Sequence, residues 1–385
     1  MKTIHTYHFN REVSEQAISF IANAIERTYD VEHIDFSDNI LNLVLREAVS
    51  TESFDALVER LDFMSAKMTT KSLYENHPER NAPKDPFYIL LQSGDVQPVA
   101  RGLFVLQGQF LKLFQYFNEY WRKKALELGA VEQDNPAVWP ARLYRDINYI
   151  AEFPHQIILA SPVKQHNADL TAMAQKYSKE NAFDHINITE HMAPSDFGLQ
   201  NAVCDICYYV LRGKRGFENT LFTTYNKVFR NECSETNSLD RLTSFSVRDI
   251  MFVGDQEYVM QQRQKMIELA IEFLALLDLD SSIGVANDPF FTGESMIKAV
   301  YQNSSELKYE LLVKLPFSGK ELAIGSINLH QDFFGRAFDI TLPDGGFVWS
   351  GCLGIGFERL VYALYAQYGT ESDSWPKHLC RIVES

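Results

Sequence analysis

Phe229-Arg230-Asn231-Glu232, followed by Arg241-Leu-Thr-Ser-Phe245, is the stretch that decides how this chain is interpreted. Side chains alternate between the two faces of a strand, so Arg230 and Glu232 point to the same side. A fixed cation and a hydrogen-bond acceptor therefore lie side by side, with an aromatic ring a short loop away. We expect such a strand to face a polar ligand.

A second arginine-bearing stretch, Gly354-Ile-Gly-Phe-Glu-Arg359, lies far downstream and predicts a helix opened by glycine. Two separated arginines can neutralise phosphate charge bidentately, and an aromatic ring such as Phe245 can stack on a base. Arginines, carboxylates and an aromatic surface of purine size are what the ATP-dependent activation of an acid requires.

The composition sets the class of protein. With 385 residues, of which 46% are hydrophobic, the chain can hold one large or two moderate globular domains. Its apolar runs are shorter than a membrane span, and its first residues lack the apolar core of a signal peptide. We therefore expect a soluble, cytoplasmic protein.

Charge and cysteine content exclude further classes. The net charge of −15 is spread along the chain, which is a poor match to a protein that wraps a long polyanion. Five cysteines, an odd number in a chain of this length, argue against a disulfide framework.

The pattern along the chain changes near residue 95. Residues 1–95 mix helical periodicity with short apolar runs, which predicts a small N-terminal α/β accessory segment, and we expect residues 96–385 to form a second, larger domain. Within that domain we expect a helix over Leu103 to Leu128 and an extended segment over Pro136 to Pro140. The other strand candidates are Thr220 to Arg230, Ser244 to Val253, Leu311 to Leu315, Leu322 to Leu329 and Phe338 to Leu342. They are joined as hairpins, which predicts an α+β fold with an antiparallel sheet flanked by helices.

These motifs resemble those of class II aminoacyl-tRNA synthetases. The stretch at Arg230 is similar to motif 2, the stretch at Arg359 to motif 3, and the long helix with its proline-ended strand to motif 1. The resemblance implies that residues 96–385 form a class II synthetase-like catalytic domain and, through motif 1, that the protein is a homodimer.

Finer features resemble the amino acid:[carrier protein] ligases, relatives of the atypical archaeal seryl-tRNA synthetases. They are Cys207-Tyr-Tyr-Val, Arg241-Leu-Thr-Ser-Phe-Ser-Val-Arg-Asp249, Ser326-Ile-Asn-Leu-His-Gln-Asp-Phe-Phe-Gly335 and Ser350-Gly-Cys-Leu-Gly-Ile-Gly356. That resemblance implies a ligase that adenylates a small amino acid and passes it to the phosphopantetheine thiol of a carrier protein. Two alternatives stay open: a synthetase that uses residues 1–95 to bind tRNA, although they contain no basic stripe, and a catalytically silent paralogue.

Matching positions give the roles that the resemblance implies. Arg230 binds the α-phosphate, Glu232 accepts from the ATP amino group or the substrate, and Phe245 stacks on adenine. Arg359 clamps the γ-phosphate, and Arg241 belongs to the same ATP site. Arg248 and Asp249 lie nearest the amino-acid end.

The resemblance also implies two metals. Zinc is held by Cys207, Asp249 and Cys352, with aspartate where the family has glutamate and with Cys204 as the alternative first thiolate. A further alternative is that the two nearby cysteines are ordinary buried thiols. Magnesium is bound by a carboxylate before motif 3, where Ala323 occupies the family's position and Glu321 or Glu310 takes its place.

Overall fold

The computed structural model describes residues 2–79, 84–177, 189–231, 238–288, 295–371, 373 and 375–384. The first part of the chain forms β1 (Thr3–His8), α1 (Glu15–Thr28), β2 (Val31–Ser37), β3 (Ile40–Leu45), α2 (Thr51–Ser65), β4 (Ser72–Asn76), α3 (Phe87–Ser93), β5 (Val96–Ala100), β6 (Leu103–Leu106), α4 (Gly108–Glu127), β7 (Val131–Gln133) and β8 (Val138–Pro140). The middle part forms α5 (Arg142–Asp146), α6 (Tyr149–Glu152), β9 (Leu159–Ala160), α7 (Asn167–Tyr177), β10 (Phe197–Leu199), α8 (Asp205–Val210), β11 (Thr220–Phe229), β12 (Ser244–Gly254) and α9 (Gln256–Leu277). The last part forms β13 (Ser281–Val285), α10 (Ser295–Ser304), β14 (Lys308–Lys314), β15 (Glu321–Gln331), α11 (Phe333–Ala337), β16 (Trp349–Gly356), α12 (Phe357–Tyr368) and α13 (Lys377–Glu384).

The centre of the fold is a sheet of eight strands among the described residues, in the order β4-β13-β14-β15-β16-β12-β11-β7. Neighbouring strands run antiparallel, except that β7 pairs in parallel with β11 at one edge. The predicted antiparallel sheet is therefore confirmed, and so is the motif 2 hairpin, because β11 pairs with β12 from Thr220–Val253 to Phe229–Ser244.

Alternation along β12 shows what covers each face of the sheet. Ile250 and Phe252 point into the main core, which helices α4, α9 and α12 complete. Met251 and Val253 point into a second buried cluster on the other face, together with Cys204, Cys207 and Cys352. The long helices α4, α9 and α12 thus cover one face, and the three cysteines gather on the other.

The N-terminal residues form a three-stranded sheet in the order β1-β3-β2, packed against α1 and α2. The Ser14 side chain caps α1 by accepting from the Ala17 backbone N–H. Ala299 of α10 packs into this cluster from the C-terminal part of the chain. Strand β4 already belongs to the main sheet, where it pairs with β13.

Two predicted elements differ in the structure. The helix expected from Leu103 begins only at Gly108, because Gly102 adopts a φ of +63° and turns the chain into the β5–β6 hairpin. The strand expected from Phe338 to Leu342 is wrong: Phe338 caps helix α11, and in that segment Thr341 makes an isolated bridge to Phe347. Among the described residues, no helix is long and apolar enough to cross a bilayer.

Candidate active site

Three metal-binding side chains meet on the sheet face that lacks the large helices. The ligand atoms of Cys204, Asp249 and Cys352 all lie within 4.8 Å of one another, and all three residues are buried. Cys204 is the N-cap of α8, whereas Asp249 and Cys352 come from the neighbouring strands β12 and β16. The sheet therefore fixes two of the groups, and the start of α8 supplies the third.

The electrostatics of this cluster call for a cation. A hydrogen bond from the Cys204 thiol holds the pKa of Cys352 well below its ordinary range, and the same contact raises the pKa of Cys204. Burial raises the pKa of Asp249 well above its usual value. Three anions in one buried site repel one another, so only a bound cation allows all to be deprotonated. Two thiolates and one carboxylate fit zinc, with a fourth position open.

Cys207 lies outside this cluster, although the resemblance named it as the first thiolate. Its Sγ accepts from Asn135 Nδ2 at 3.0 Å, and burial raises its pKa to about 12. Three residues along a helix displace a side chain by roughly 4.5 Å along the axis, which is enough to separate Cys207 from Asp249 and Cys352. Cys204, the alternative first thiolate, lies beside Asp249 and Cys352 instead.

His330 and Asn328 flank the cluster. The Nε2 atom of His330 lies 3.8 Å from Cys352 Sγ, and Asn328 Nδ2 donates to the same sulfur at 3.5 Å. Both residues come from β15, where a spacing of two puts them on one face. The alternation in Ser326-Ile-Asn-Leu-His330 is the sequence signal that places both side chains on this face.

Arg230 lies just after β11, where its Nε donates to the Asn201 backbone oxygen at 3.2 Å. Its guanidinium carbon lies 5.3 Å from the centre of the Phe245 ring, so the two predicted ATP-binding residues are brought together. Burial dominates the pKa of Asp249, and the positive charge of Arg230 opposes that rise. Arg230 is therefore electrostatically coupled to the metal-binding cluster.

The remaining predicted ATP residues are spread around this centre. Arg359, in α12, donates from Nη1 to the Ala323 backbone oxygen at 3.2 Å. Arg241 is exposed in the segment between β11 and β12. Glu232 lies outside the described residues.

Arg248 was predicted to lie at the amino-acid end, but the structure places it on the opposite face of the sheet from Asp249. Its Nε donates to Asn118 Oδ1 of α4 at 2.8 Å, and its Nη1 lies 3.4 Å from Glu132 Oε1. Consecutive residues on a strand point to opposite faces, so Arg248 and Asp249 cannot reach one ligand together.

Neither magnesium candidate joins the metal-binding cluster. Glu321 is exposed at the start of β15, two residues before Ala323. Glu310 forms an ion pair with Lys308, whose Nζ lies 2.9 Å from Glu310 Oε1 and 2.6 Å from Asp288 Oδ1. This buried lysine with two carboxylates is a polar feature that the sequence did not reveal.

Glu358 of motif 3 links helix α12 to the motif 2 hairpin. It is 3% exposed and accepts from the Ser246 backbone N–H at 2.8 Å and the Ser246 hydroxyl at 2.9 Å. Lys227 Nζ donates to the same carboxylate at 2.9 Å. The first residues of α12 are thereby bound to both strands of the motif 2 hairpin.

The sequence of this chain is similar to those of known proteins over much of its length. The family model for the tRNA synthetase class II core domain (G, H, P, S and T) matches residues 211–368. The chain is 28% identical to amino acid–[acyl-carrier-protein] ligase 1 of Bradyrhizobium diazoefficiens over 259 residues, which cover 67% of this chain and 77% of the relative. It is 24% identical to the type-2 serine–tRNA ligase of Methanocaldococcus jannaschii over 358 residues, which cover 90% of this chain and 68% of the relative.

Solved structures show the same fold. The M. kandleri SerRS in complex with A. aeolicus tRNASec superposes with a TM-score of 0.73 at 18% identity, covering 100% of this chain and 77% of that one. The cytoplasmic serine–tRNA ligase of Naegleria fowleri in complex with AMP superposes with a TM-score of 0.64 at 10% identity, covering 87% of this chain and 71% of that one. The relatives reported above are ligases, which is the enzyme class that the sequence predicted. The resemblance to class II aminoacyl-tRNA synthetases is therefore confirmed: the chain has their core fold.

Proposed function

We propose that this protein uses ATP to activate a small amino acid as its adenylate and then transfers the aminoacyl group to the phosphopantetheine thiol of a carrier protein. One observation carries the proposal: Cys204, Asp249 and Cys352 form a buried cluster, and the charge of Arg230 is close enough to it to oppose the rise in the pKa of Asp249. Similarity to the carrier-protein ligases supports the choice of acceptor.

The chain's own residues fit the activation step. A carboxylate oxygen of the amino acid attacks the α-phosphorus of ATP, the bond to the bridging oxygen breaks, and pyrophosphate leaves. Arg230 neutralises the charge that builds on the α-phosphate, and Arg359 holds the departing phosphates. Phe245, already packed against Arg230, offers its ring to the adenine. In the second step the thiol sulfur attacks the carbonyl carbon, its proton is lost to solvent, and AMP leaves.

The metal has a limited role in this proposal. Cys204, Asp249 and Cys352 would hold zinc, which would supply a positive centre for the substrate's amino group. The residues around it fix the ligands, since Asn328 Nδ2 donates to the Cys352 sulfur. Magnesium accompanies ATP, and Glu310 or Glu321 is its protein ligand.

Three further features belong to the proposal: the protein is a homodimer, its contacts are made through α4 and β8 of motif 1, and it acts in the cytoplasm. Supporting the dimer, β8 is an edge strand of the three-stranded sheet β8-β10-β9, and Val138 on it is 41% exposed.

A second candidate function is aminoacylation of tRNA. Similarity to the M. jannaschii serine–tRNA ligase extends over 90% of this chain, whereas similarity to the carrier-protein ligase covers 67%. The N-terminal residues thus have counterparts in a tRNA ligase, which favours this candidate more than the sequence alone did. A catalytically silent paralogue stays the third alternative.

Pyrophosphate exchange tests the proposal first. Purified protein loaded with zinc is incubated with ATP, labelled pyrophosphate and one amino acid at a time. We expect exchange with small amino acids, followed by transfer to a phosphopantetheinylated acyl carrier protein. Transfer to tRNA instead would favour the second candidate, and exchange with no amino acid would favour the silent paralogue.

A further inference from the structure

The turn between β5 and β6 contacts residues 238–243, which we call the returning segment because they lead from motif 2 back to β12. The Thr243 backbone N–H donates to the Gly102 oxygen at 3.0 Å, and the Thr243 hydroxyl donates to the Arg101 backbone oxygen at 3.2 Å. The backbone oxygen of Thr243 in turn accepts from the Arg230 backbone N–H at 3.0 Å. Thr243 therefore connects the turn directly to the arginine that we assign to the α-phosphate of ATP.

Glycine is required at the centre of this contact. Gly102 has a φ of +63°, and a Cβ atom added there would lie 2.6 Å from both the backbone nitrogen and the Oγ1 atom of Thr243. Both atoms are held by hydrogen bonds to the turn, so they cannot move aside without breaking those bonds. The missing side chain of Gly102 thus allows the turn and Thr243 to come into direct contact.

The position of Thr243 determines where two predicted ATP-binding residues lie. Because the β11–β12 pairing ends at Phe229 and Ser244, the hydrogen bond between Arg230 and Thr243 is one rung beyond that ladder. Phe245 follows Thr243 by two residues, and its ring centre lies 5.3 Å from the guanidinium carbon of Arg230. A shift of Thr243 would therefore move the arginine and the ring together.

A second contact holds the other end of the returning segment. The Ser238 hydroxyl donates to the Tyr362 hydroxyl at 3.4 Å, and the Tyr362 hydroxyl donates to Asp85 Oδ1 at 2.7 Å. Tyr362 is 1% exposed and follows Arg359 by three residues on α12, so the two lie on one side of that helix. Asp85 and the turn between β5 and β6 both belong to residues 84–107, which precede α4 and which we call the connector. The connector thus supports the returning segment at both ends.

We propose that Thr243 is a positioning residue for ATP binding: the connector holds it in place, and it holds Arg230 and Phe245 toward the nucleotide. This inference rests on the proposed function. An arginine and a ring whose main chain is already fixed bind ATP without the cost of being ordered first. The metal-binding cluster comes instead from β12, β16 and the start of α8. We therefore expect the connector to affect the affinity for ATP and not the affinity for the amino acid.

The test measures the affinity for α,β-methylene ATP, which cannot release pyrophosphate, by isothermal titration calorimetry. Gly102→Ala should weaken binding by at least about tenfold, because the added methyl displaces Thr243 and both of its hydrogen bonds to the turn are lost. Thr243→Val, which removes only the hydroxyl, should weaken binding by about fivefold. Thr243→Ser keeps the hydroxyl and should bind the analogue as the wild type does. A dissociation constant does not depend on the fraction of folded protein, so partial misfolding cannot imitate the result.

The matched control is Gly94→Ala. Gly94 also belongs to the connector and has a φ of +81°, so an alanine there meets a similar backbone strain. Its added Cβ would have its nearest neighbour, Gln107 Nε2, at 3.6 Å, and would leave Thr243 in place. We expect Gly94→Ala to lose stability, as Gly102→Ala does, but to keep the wild-type affinity for the analogue.

Pyrophosphate exchange gives a second readout. The KM for ATP should rise in Gly102→Ala and Thr243→Val, whereas the KM for the amino acid should stay as in the wild type. Wild-type affinity for the analogue in Gly102→Ala would overturn the inference, and an equal loss in Gly94→Ala would overturn it by assigning the effect to backbone strain. A parallel rise of both KM values would also overturn it, because the whole site would then be distorted. These outcomes leave the proposed function intact, whereas a wild-type protein that does not bind the analogue would contradict ATP-dependent activation itself.

Discussion

Asp249 and Gly354 are paired directly across the neighbouring strands β12 and β16, and a Cβ atom added to Gly354 would lie 2.4 Å from Asp249 Oδ1. A contact this short is not tolerated, so the carboxylate occupies space that only glycine leaves free. The first glycine of motif 3 therefore makes room for the Asp249 carboxylate of the metal-binding cluster.

We expect Gly354→Ala to fold but to bind less zinc, because the added methyl displaces the Asp249 carboxylate from the two thiols. Metal analysis of the purified variant should give clearly less zinc per chain than the wild-type protein. The control is Gly356→Ala, where an added Cβ has its nearest neighbour, the Ile324 backbone oxygen, at 3.6 Å. Full zinc content in Gly354→Ala would show that Asp249 is not a ligand.

The two nearby cysteines should behave differently. Cys204→Ser removes a sulfur from the cluster and should weaken zinc binding by at least about 100-fold, more than the loss of an outer-shell partner does. Cys207→Ser is the matched variant, because its thiol is equally buried but contacts Asn135. A competition titration with a chelator measures both affinities. Weaker binding in Cys207→Ser and normal binding in Cys204→Ser would reverse the assignment.

Glu358 should contribute to stability. Replacing it with alanine leaves the buried Ser246 backbone N–H without its acceptor, and we expect the free energy of unfolding to fall by about 3 kcal/mol. Glu358→Gln, which keeps one acceptor oxygen, should lose less. Urea denaturation followed by circular dichroism measures the difference. A loss of less than about 0.5 kcal/mol in Glu358→Ala would mean that motif 3 is not held by this carboxylate.

Asp288 should make stability depend on pH in the acid range. Burial raises its pKa, but the charge of Lys308 and a hydrogen bond from Gln302 outweigh that effect and lower the pKa below its ordinary value. A carboxyl whose pKa is lower in the folded protein than in the unfolded chain stabilises the fold at pH values above its unfolded-state pKa, near 4. This stabilisation is lost as the pH falls through the folded-state pKa. Wild type should therefore exceed Asp288→Asn in stability at pH 7, and the gap should close toward pH 3. A gap of equal size at both pH values would contradict the ion pair.

Local rules account for much of what the sequence predicted. The sequence placed Arg230 and Phe245 at one site, and the structure brings them together, although Arg230 lies just after the end of β11 and not on the strand. Side chains alternate between the two faces of a strand, so the sequence could have predicted that Arg248 and Asp249 lie on opposite faces of the sheet. Cys204 and Cys207 could not be distinguished, because both lie at the start of one short helix and only its packing against β12 and β16 selects between them. The Lys308 ion pairs depend on contacts between distant segments, which no local pattern reveals.

Zinc-edge anomalous diffraction from crystals grown with a non-hydrolysable aminoacyl-adenylate tests the central claim most directly. We predict one zinc peak between the sulfurs of Cys204 and Cys352 and the carboxylate of Asp249, with the phosphate-mimicking group of the analogue bound to Arg230. A peak between Cys204 and Cys207, or an analogue bound away from Arg230, would contradict the account.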